Sequence, residues 1–244
     1  MGLSSGRRVL VTGAAGGIGA ALMAAFAREG AIGVGLDLTT PEVPDGWIGL
    51  AADVTDSAGV TRTIGEAARR LGGLDVLIPN AAFAPPWADI GTICDADWEV
   101  AFAVNVRGAM ATIRAGAPLL PDGGVVVVMA SLNAWRAEAG QGVYTATKHA
   151  VLGLTRAAAR DLGPRGIRVN AIAPGPIATP ALLARMRRRL GSEVEVEAAL
   201  RTFAGRTALG RLATAEDVAN TAVFLAADLA NGITGQMLAV DGGI

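Results

Sequence analysis

The sequence predicts an α/β fold, a parallel, doubly wound, seven-stranded sheet with helices on both faces. Two observations carry this. Short β-branched runs alternate with Ala-rich stretches of helical length along all 244 residues, and strand–helix–strand repetition implies parallel neighbours, because parallel strands need crossover connections. No internal repeat or linker-like stretch interrupts the rhythm. A chain of this length, 52% apolar and 18% charged, builds one substantial domain over 1–244.

Residues 8–12 form the first strand, and the Ala-rich run 18–29 the first helix. Residues 32–37 and 47–52 read as the next strands, then helix 57–71 and strand 74–79. The long helix 95–116 precedes 125–130, the densest apolar run, with four consecutive valines. Helix 142–162, strand 167–173, helix 214–227 and strand 236–240 complete the pattern. The segment 176–213 breaks it, rich in Arg, Leu and Ala, with Pro176 and Pro180 at its start. It follows the C-terminal end of a strand, where open α/β sheets bind ligands, and is the expected place for a substrate lid.

Charge and composition exclude several classes of function. Lysine plus arginine against aspartate plus glutamate is 21 against 22, so there is no basic field for nucleic acid. No run approaches the roughly 18 apolar residues of a membrane span, and the first six residues lack a hydrophobic signal region. A soluble, cytoplasmic protein with no membrane partner is expected. One cysteine, Cys94, allows neither an internal disulfide nor a cysteine-based metal cluster, and no metal is expected. His149, the sole histidine, follows Lys148 directly, and consecutive helix residues point about 100° apart, so it should face away from whatever Lys148 serves.

The sharpest chemical signal is local. The only tyrosine, Tyr144, lies four residues before the only lysine, Lys148, and Ser131 lies thirteen residues upstream of the tyrosine. Twenty arginines accompany that single lysine. Arginine cannot lose its proton and presents a rigid fork, whereas lysine is a compact charge on a flexible stem. On a helix, positions 144 and 148 share one face. An ammonium beside a phenol favours the phenolate, a base able to take a proton from an alcohol.

A second signal follows the first strand. Thr12-Gly13-Ala14-Ala15-Gly16-Gly17-Ile18-Gly19 opens into an apolar helix. Such a turn allows close backbone approach to a pyrophosphate at a helix N-terminus, whose free N–H groups and dipole accept negative charge. Asp37, at the end of the second strand, suits both ribose hydroxyls of an adenosine and repels a 2′-phosphate. With no Arg or Lys at 14–16 or 38–40, NAD is the expected cofactor over NADP.

With these residues in place, nearly the whole chain resembles the single-domain, NAD-dependent subclass of the short-chain dehydrogenase/reductase family, with its Rossmann-type fold. Gly13, Gly17, Ile18 and Gly19 match its cofactor turn, and Asp53-Val54 its adenine-side acid and following apolar residue. Asn105 matches the asparagine that completes the family's catalytic tetrad. The segment from Pro174 and Gly175 through Ile177 to Thr179 resembles the stretch that holds the nicotinamide carboxamide and phosphates, and Val240-Asp241-Gly242-Gly243 is also family-like. One departure is Pro79-Asn80-Ala81-Ala82 where the family usually shows Asn-Asn-Ala-Gly. Asn80 is kept, while Pro79 removes a donor and Ala82 adds a methyl, so a small adjustment on the adenosine side is expected.

The resemblance implies interconversion of a secondary alcohol and a ketone by hydride transfer. Tyr144 would be the general acid/base, Ser131 would hold the substrate oxygen, and Lys148 would lower the phenol's pKa and hold the nicotinamide ribose. Asn105, through its helix backbone, would position a relay water. The alternative is a catalytically silent NAD-binding regulator of the same fold. Enoyl reduction is disfavoured, because relatives doing it in this fold usually space tyrosine and lysine more widely. The substrate pocket is expected to draw on Phe83, Trp87, Asn133, Trp135, Gln141, Leu182 and Met186. In the run Arg185 to Arg189, Arg185 with Arg188 or Arg189 shares a helix face and could clamp a carboxylate or sulfonate. Relatives pair the helices 95–116 and 142–162 across a two-fold axis, and small residues such as Ala101, Ala109, Ala150 and Gly153 permit close approach. A homotetramer is expected, with a dimer as second choice.

Overall fold

The structure, a computed structural model, describes residues 2–244. Seven parallel strands form one sheet: β1 (Arg8–Thr12), β2 (Ile32–Asp37), β3 (Ile48–Ala51), β4 (Val76–Ile78), β5 (Val125–Met129), β6 (Arg168–Pro174) and β7 (Met237–Val240). Their order across the sheet is β3-β2-β1-β4-β5-β6-β7. The chain winds outward from β1 to β3, then crosses back to lay β4 on the other side of β1. The reversal between β1 and β4 opens a crevice at the C-terminal strand ends.

Alternation along each strand feeds two cores. Val9 and Val11 of β1 and Val125 and Val127 of β5 pack with Leu22 and Phe26 of α1 (Gly17–Arg28) and Val218 and Ala222 of α8 (Ala215–Ala226). Leu10, Val126 and Val128 face the other way, against Ile64 of α2 (Ser57–Leu71), Ala111 of α4 (Ala109–Gly116) and Val151 of α5 (Gly142–Leu162). The central strands are thus apolar on both faces, as a sheet covered by helices on both sides requires. Each fully buried side chain of Leu or Phe size contributes about 1.5–3 kcal/mol. One buried cation joins the strand layer to α8, where Arg168 donates to the carbonyls of Leu225 and Ala227 at 2.6 and 3.1 Å. A guanidinium at a helix C-terminus meets the negative end of its dipole.

The elements begin and end close to the expected places, with two instructive differences. β4 stops at Ile78, because Pro79 has no N–H for the ladder, although its carbonyl still accepts from Met129. The expected helix 95–116 is α3 (Asp95–Ala101) and α4 joined through a wider turn of π type at Phe102–Gly108. Asn105 sits in that turn with its side chain drawn onto neighbouring segments, and π turns of this kind are frequent at functional sites.

The segment that broke the sequence rhythm folds as two helices, α6 (Pro180–Leu190) and α7 (Glu193–Gly205). Thr179 caps α6 by accepting the Leu182 N–H, with Pro180 in the first turn. Met186 and Val196 are the residues these helices bury.

Candidate active site

The crevice at the strand ends is a cleft of about 550 Å³. Its floor near β1 is the glycine turn. Gly13 has φ +67°, and a Cβ there would stand 2.7 Å from the Ala81 Cα. A Cβ on Gly19 would stand 2.0 Å from the Gly13 carbonyl oxygen, so the turn closes on α1 only without side chains. Asn80 ties this turn to β4. Its carboxamide donates to the carbonyls of Thr12 and Gly13 at 2.9 and 3.0 Å, while its own N–H reaches the Thr12 hydroxyl at 3.0 Å. Pro79 and Ala82 do not disturb that clamp, since Ala82 is exposed.

Helix α1 starts at Gly17 with no side-chain cap. Its N-terminal donors therefore remain for a phosphate, which fits the pyrophosphate of a dinucleotide. Asp37 stands beside the same turn, accepting the Ala15 N–H at 2.9 Å through one oxygen and the Leu38 N–H at 2.8 Å through the other. Each oxygen keeps lone-pair capacity for a ribose hydroxyl. Asp53 accepts from the Thr55 N–H and hydroxyl, both at 2.8 Å, and Val54 is buried against Gly108. On the opposite bank Thr179 approaches the turn, its methyl 3.0 Å from where a Cβ on Gly17 would sit. Ile18, Asn80, Pro174, Gly175, Ile177 and Thr179 all line the cleft.

Farther along the same cleft stand Ser131, Tyr144 and Lys148. Ser131 follows β5 and accepts the Asn133 N–H at 3.2 Å, opening a short turn. Tyr144 and Lys148 project from the first two turns of α5, and the Lys148 nitrogen lies 5.6 Å from the centre of the Tyr144 ring. Lys148 is 2% exposed and donates to the Met129 carbonyl at 2.8 Å. Burial holds its pKa down to about 8. His149 turns outward and meets the Thr145 carbonyl, away from the cleft.

Asn105 reaches the site indirectly. Its side chain accepts the Phe83 N–H at 2.7 Å and donates to the Phe83 carbonyl and the Thr147 hydroxyl at 2.8 and 3.0 Å. It pins the segment after Asn80 to α5.

The phenol differs from expectation. Burial pushes the Tyr144 pKa up, and the hydroxyl of Ser131 and the charge of Arg185 oppose this without reversing it. The expected lowering by Lys148 is not what this structure provides, because the ammonium is itself desolvated and is turned onto Met129.

Of the expected substrate residues, Trp87, Asn133, Gln141, Leu182 and Met186 line the cleft. Asn133 is engaged, donating to Gln141 at 3.1 Å and Thr145 at 3.3 Å. Phe83 and Trp135 do not line it. In the extended stretch after Asn80 it is Ala82 and Ala84 that face the cleft, and Phe83 between them points the other way. Trp135 is 51% exposed and lies under the Arg136 guanidinium, which takes the cleft position instead. Of the arginines in α6, Arg185 and Arg189 line the cleft and Arg188 does not. Sequence reasoning missed Met129 and Thr147. The first acts through a backbone carbonyl, which leaves no trace in residue type, and the second is one threonine among many.

A family profile described as enoyl-(acyl carrier protein) reductase matches residues 13–244. Dehydrogenase/reductase SDR family member 6 of Rattus norvegicus is 35% identical over 251 residues, spanning 100% of this chain and 99% of that protein. The chain belongs to the short-chain dehydrogenase/reductase family. Among its relatives is cis-4-hydroxycyclohexanecarboxylate dehydrogenase of Sinomonas cyclohexanicum, 36% identical over 257 residues, covering 100% of this chain and 98% of that enzyme. The solved aldohexose dehydrogenase of Thermoplasma acidophilum superposes with a TM-score of 0.92 at 28% identity, over 98% of this chain and 94% of that one. As a short-chain dehydrogenase/reductase, the protein is an oxidoreductase built for a nicotinamide cofactor. The uncapped α1 N-terminus and the glycine turn are the parts of this chain that suit one.

Proposed function

We propose that the protein interconverts a secondary alcohol and a ketone with NAD(H), Tyr144 serving as general acid/base. The observation that carries this reading is the placement of Ser131, Tyr144 and Lys148 on one wall of a cleft that runs on to the glycine turn. In oxidation, Ser131 holds the substrate oxygen and Tyr144 takes its proton. Lys148, with a pKa of about 8, is poised to pass a proton onward near neutral pH. Asn105 keeps the wall in register and leaves its helix backbone to hold a relay water. The nicotinamide, when bound, supplies the hydride acceptor or donor. The four-residue spacing of Tyr144 and Lys148 favours CH–OH chemistry over enoyl reduction.

Asp37 favours NAD over NADP, since a 2′-phosphate would meet its carboxylate and no cation at 14–16 or 38–40 offsets it. The mixture of Asn133 and Gln141 with Trp87, Leu182 and Met186 suits a small or medium alcohol bearing a further polar group. The names of the hydroxycyclohexanecarboxylate and aldohexose enzymes agree with a cyclic or sugar-derived substrate. Helices α6 and α7 form the substrate cover of a single domain. The protein works in the cytoplasm as a homotetramer.

The test is a screen of alcohols with NAD and NADP and of ketones with the reduced cofactors, followed by nicotinamide absorbance. Turnover with NAD on a secondary alcohol or ketone is expected. Tight NAD binding with no turnover across a broad panel would overturn the reading in favour of a silent regulator.

A further inference from the structure

We propose that Arg185 is the receptor for a carboxylate on the substrate, so that the alcohol or ketone handled here is a hydroxy or oxo acid; this rests on the oxidoreductase reading above.

Arg185 projects from α6 into the same wall as Tyr144 and Gln141, half-buried. Two contacts fix its orientation. The guanidinium carbon lies 4.2 Å from the centre of the Trp87 ring, and one nitrogen donates to the Pro85 carbonyl at 2.9 Å. Its remaining donors have no protein partner among the described residues. The Nε is buried without a hydrogen bond, and no carboxylate lies within 4.0 Å. Of five N–H groups on a fixed plane one is used and the Nε proton is enclosed, which leaves the donors of the terminal nitrogens for a ligand.

The contrast with other arginines is informative. Arg168, a structural arginine of this chain, spends both terminal nitrogens on the carbonyls that end α8. Arg206, also in the cleft wall, faces Glu138 at 3.8 Å, and Arg187 pairs with Glu193. Arg136 is bound to the Ile244 main chain. Arg185 has the free edge, and Arg189 over the same Trp87 ring, at 4.9 Å, adds a second charge. Among the described residues Glu138 is the one acidic side chain in the cleft wall, against Arg136, Arg185, Arg189, Arg206 and Lys148.

The cofactor's phosphates are not the anion in question. Arg185 and Tyr144 also border a small adjoining hollow with Ile93, Cys94, Asp97 and Gly142, whose lining includes no residue of the glycine turn. Asp97, the acid of that hollow, forms no ion pair with Arg185. Tyr144 lines both the cleft and this hollow together with Arg185, so the guanidinium stands beside the reacting group, and its charge acts to lower the phenol's pKa. A substrate whose oxygen is held at Ser131 and Tyr144 can therefore extend a carboxylate to Arg185.

The experiment compares short-chain and cyclic hydroxy acids with their methyl esters as substrates of the wild type, Arg185→Gln and Arg185→Lys. In parallel, carboxylates and their carboxamides are titrated calorimetrically into NAD-loaded protein, so that the outcome does not depend on turnover. The wild type is expected to prefer acid over ester in kcat/KM, and Arg185→Gln to collapse that ratio by about 10- to 100-fold, mostly through KM. Arg185→Lys, which keeps the charge acting on Tyr144 and loses the planar fork, should recover part of the ratio. Equal use of acids and esters, or equal binding of carboxylate and carboxamide in wild type and Arg185→Gln alike, would overturn the carboxylate receptor while leaving the oxidoreductase reading intact. Carboxylate binding that depends on Arg185, with no turnover of any alcohol or ketone, would uphold the receptor and sink the proposed alcohol–ketone interconversion.

Discussion

The ammonium of Lys148 donates to the main-chain carbonyl of Met129 at 2.8 Å, linking the first turns of α5 to the last residue of β5 beneath the cleft. The bond satisfies one donor of a nearly fully buried cation and leaves two for ligands.

Burial of that cation makes stability depend on pH. Its pKa falls from the ordinary 10.5 to about 8 in the folded chain. Below pH 8 both states hold the proton and the folded state bears the full desolvation penalty. Between 8 and 10.5 only the unfolded state stays charged, so this group's contribution improves as pH rises. The change is on the order of 3 kcal/mol. Denaturant unfolding of the cofactor-free wild type and Lys148→Met, between pH 7 and 10, should show the wild type gaining on the variant. A constant difference would disprove it.

Tyr144→Phe keeps the ring and removes the titrating group, so kcat should drop by roughly two to four orders of magnitude with NAD binding preserved. Ser131→Ala removes an interaction that holds the phenol's pKa down, so the limb set by Tyr144, the acidic one in alcohol oxidation and the basic one in ketone reduction, should move to higher pH. Wild-type-like turnover of Tyr144→Phe would refute the assignment.

Asp37→Ala should erode the preference for NAD over NADP mainly by weakening NAD. It also releases the Ala15 and Leu38 N–H groups that Asp37 now holds. Binding isotherms for both cofactors check this, and a native protein that favours NADP would contradict it.

Gly19→Ala places a methyl against the Gly13 carbonyl, where backbone must move. We expect roughly 1–3 kcal/mol of lost stability and a marked loss of NAD affinity. Unchanged affinity would mean that the turn does not hold the cofactor.

Assembly is tested by light scattering, expected to give about four times the 24.6 kDa chain mass. Ala101 and Ala109, expected to allow close approach between subunits, are buried within the subunit, whereas Trp98 and Val100 of α3 are 41% and 46% exposed. Trp98→Glu should therefore lower the oligomeric mass. A wild type that is monomeric at micromolar concentration would exclude the tetramer.

The parallel sheet was legible from the alternation of runs such as Val125 to Val128 with Ala-rich helices, because side-chain periodicity and burial are local properties. The glycine turn, Asp37, and the Tyr144–Lys148 pair were legible for the same reason, being spaced by one strand end or one helical turn. What lay beyond the sequence depends on distance across the fold. Only the packed chain brings Asn105 onto Phe83 and Thr147, turns Lys148 onto a backbone carbonyl, and points Phe83 and Trp135 away from the cleft. It also separates Arg185, placed over the Trp87 ring with donors to spare, from Arg188 three residues on. The direction of the Tyr144 pKa belongs to this second class, since desolvation is set by every segment that closes over the phenol, and sequence spacing records none of them.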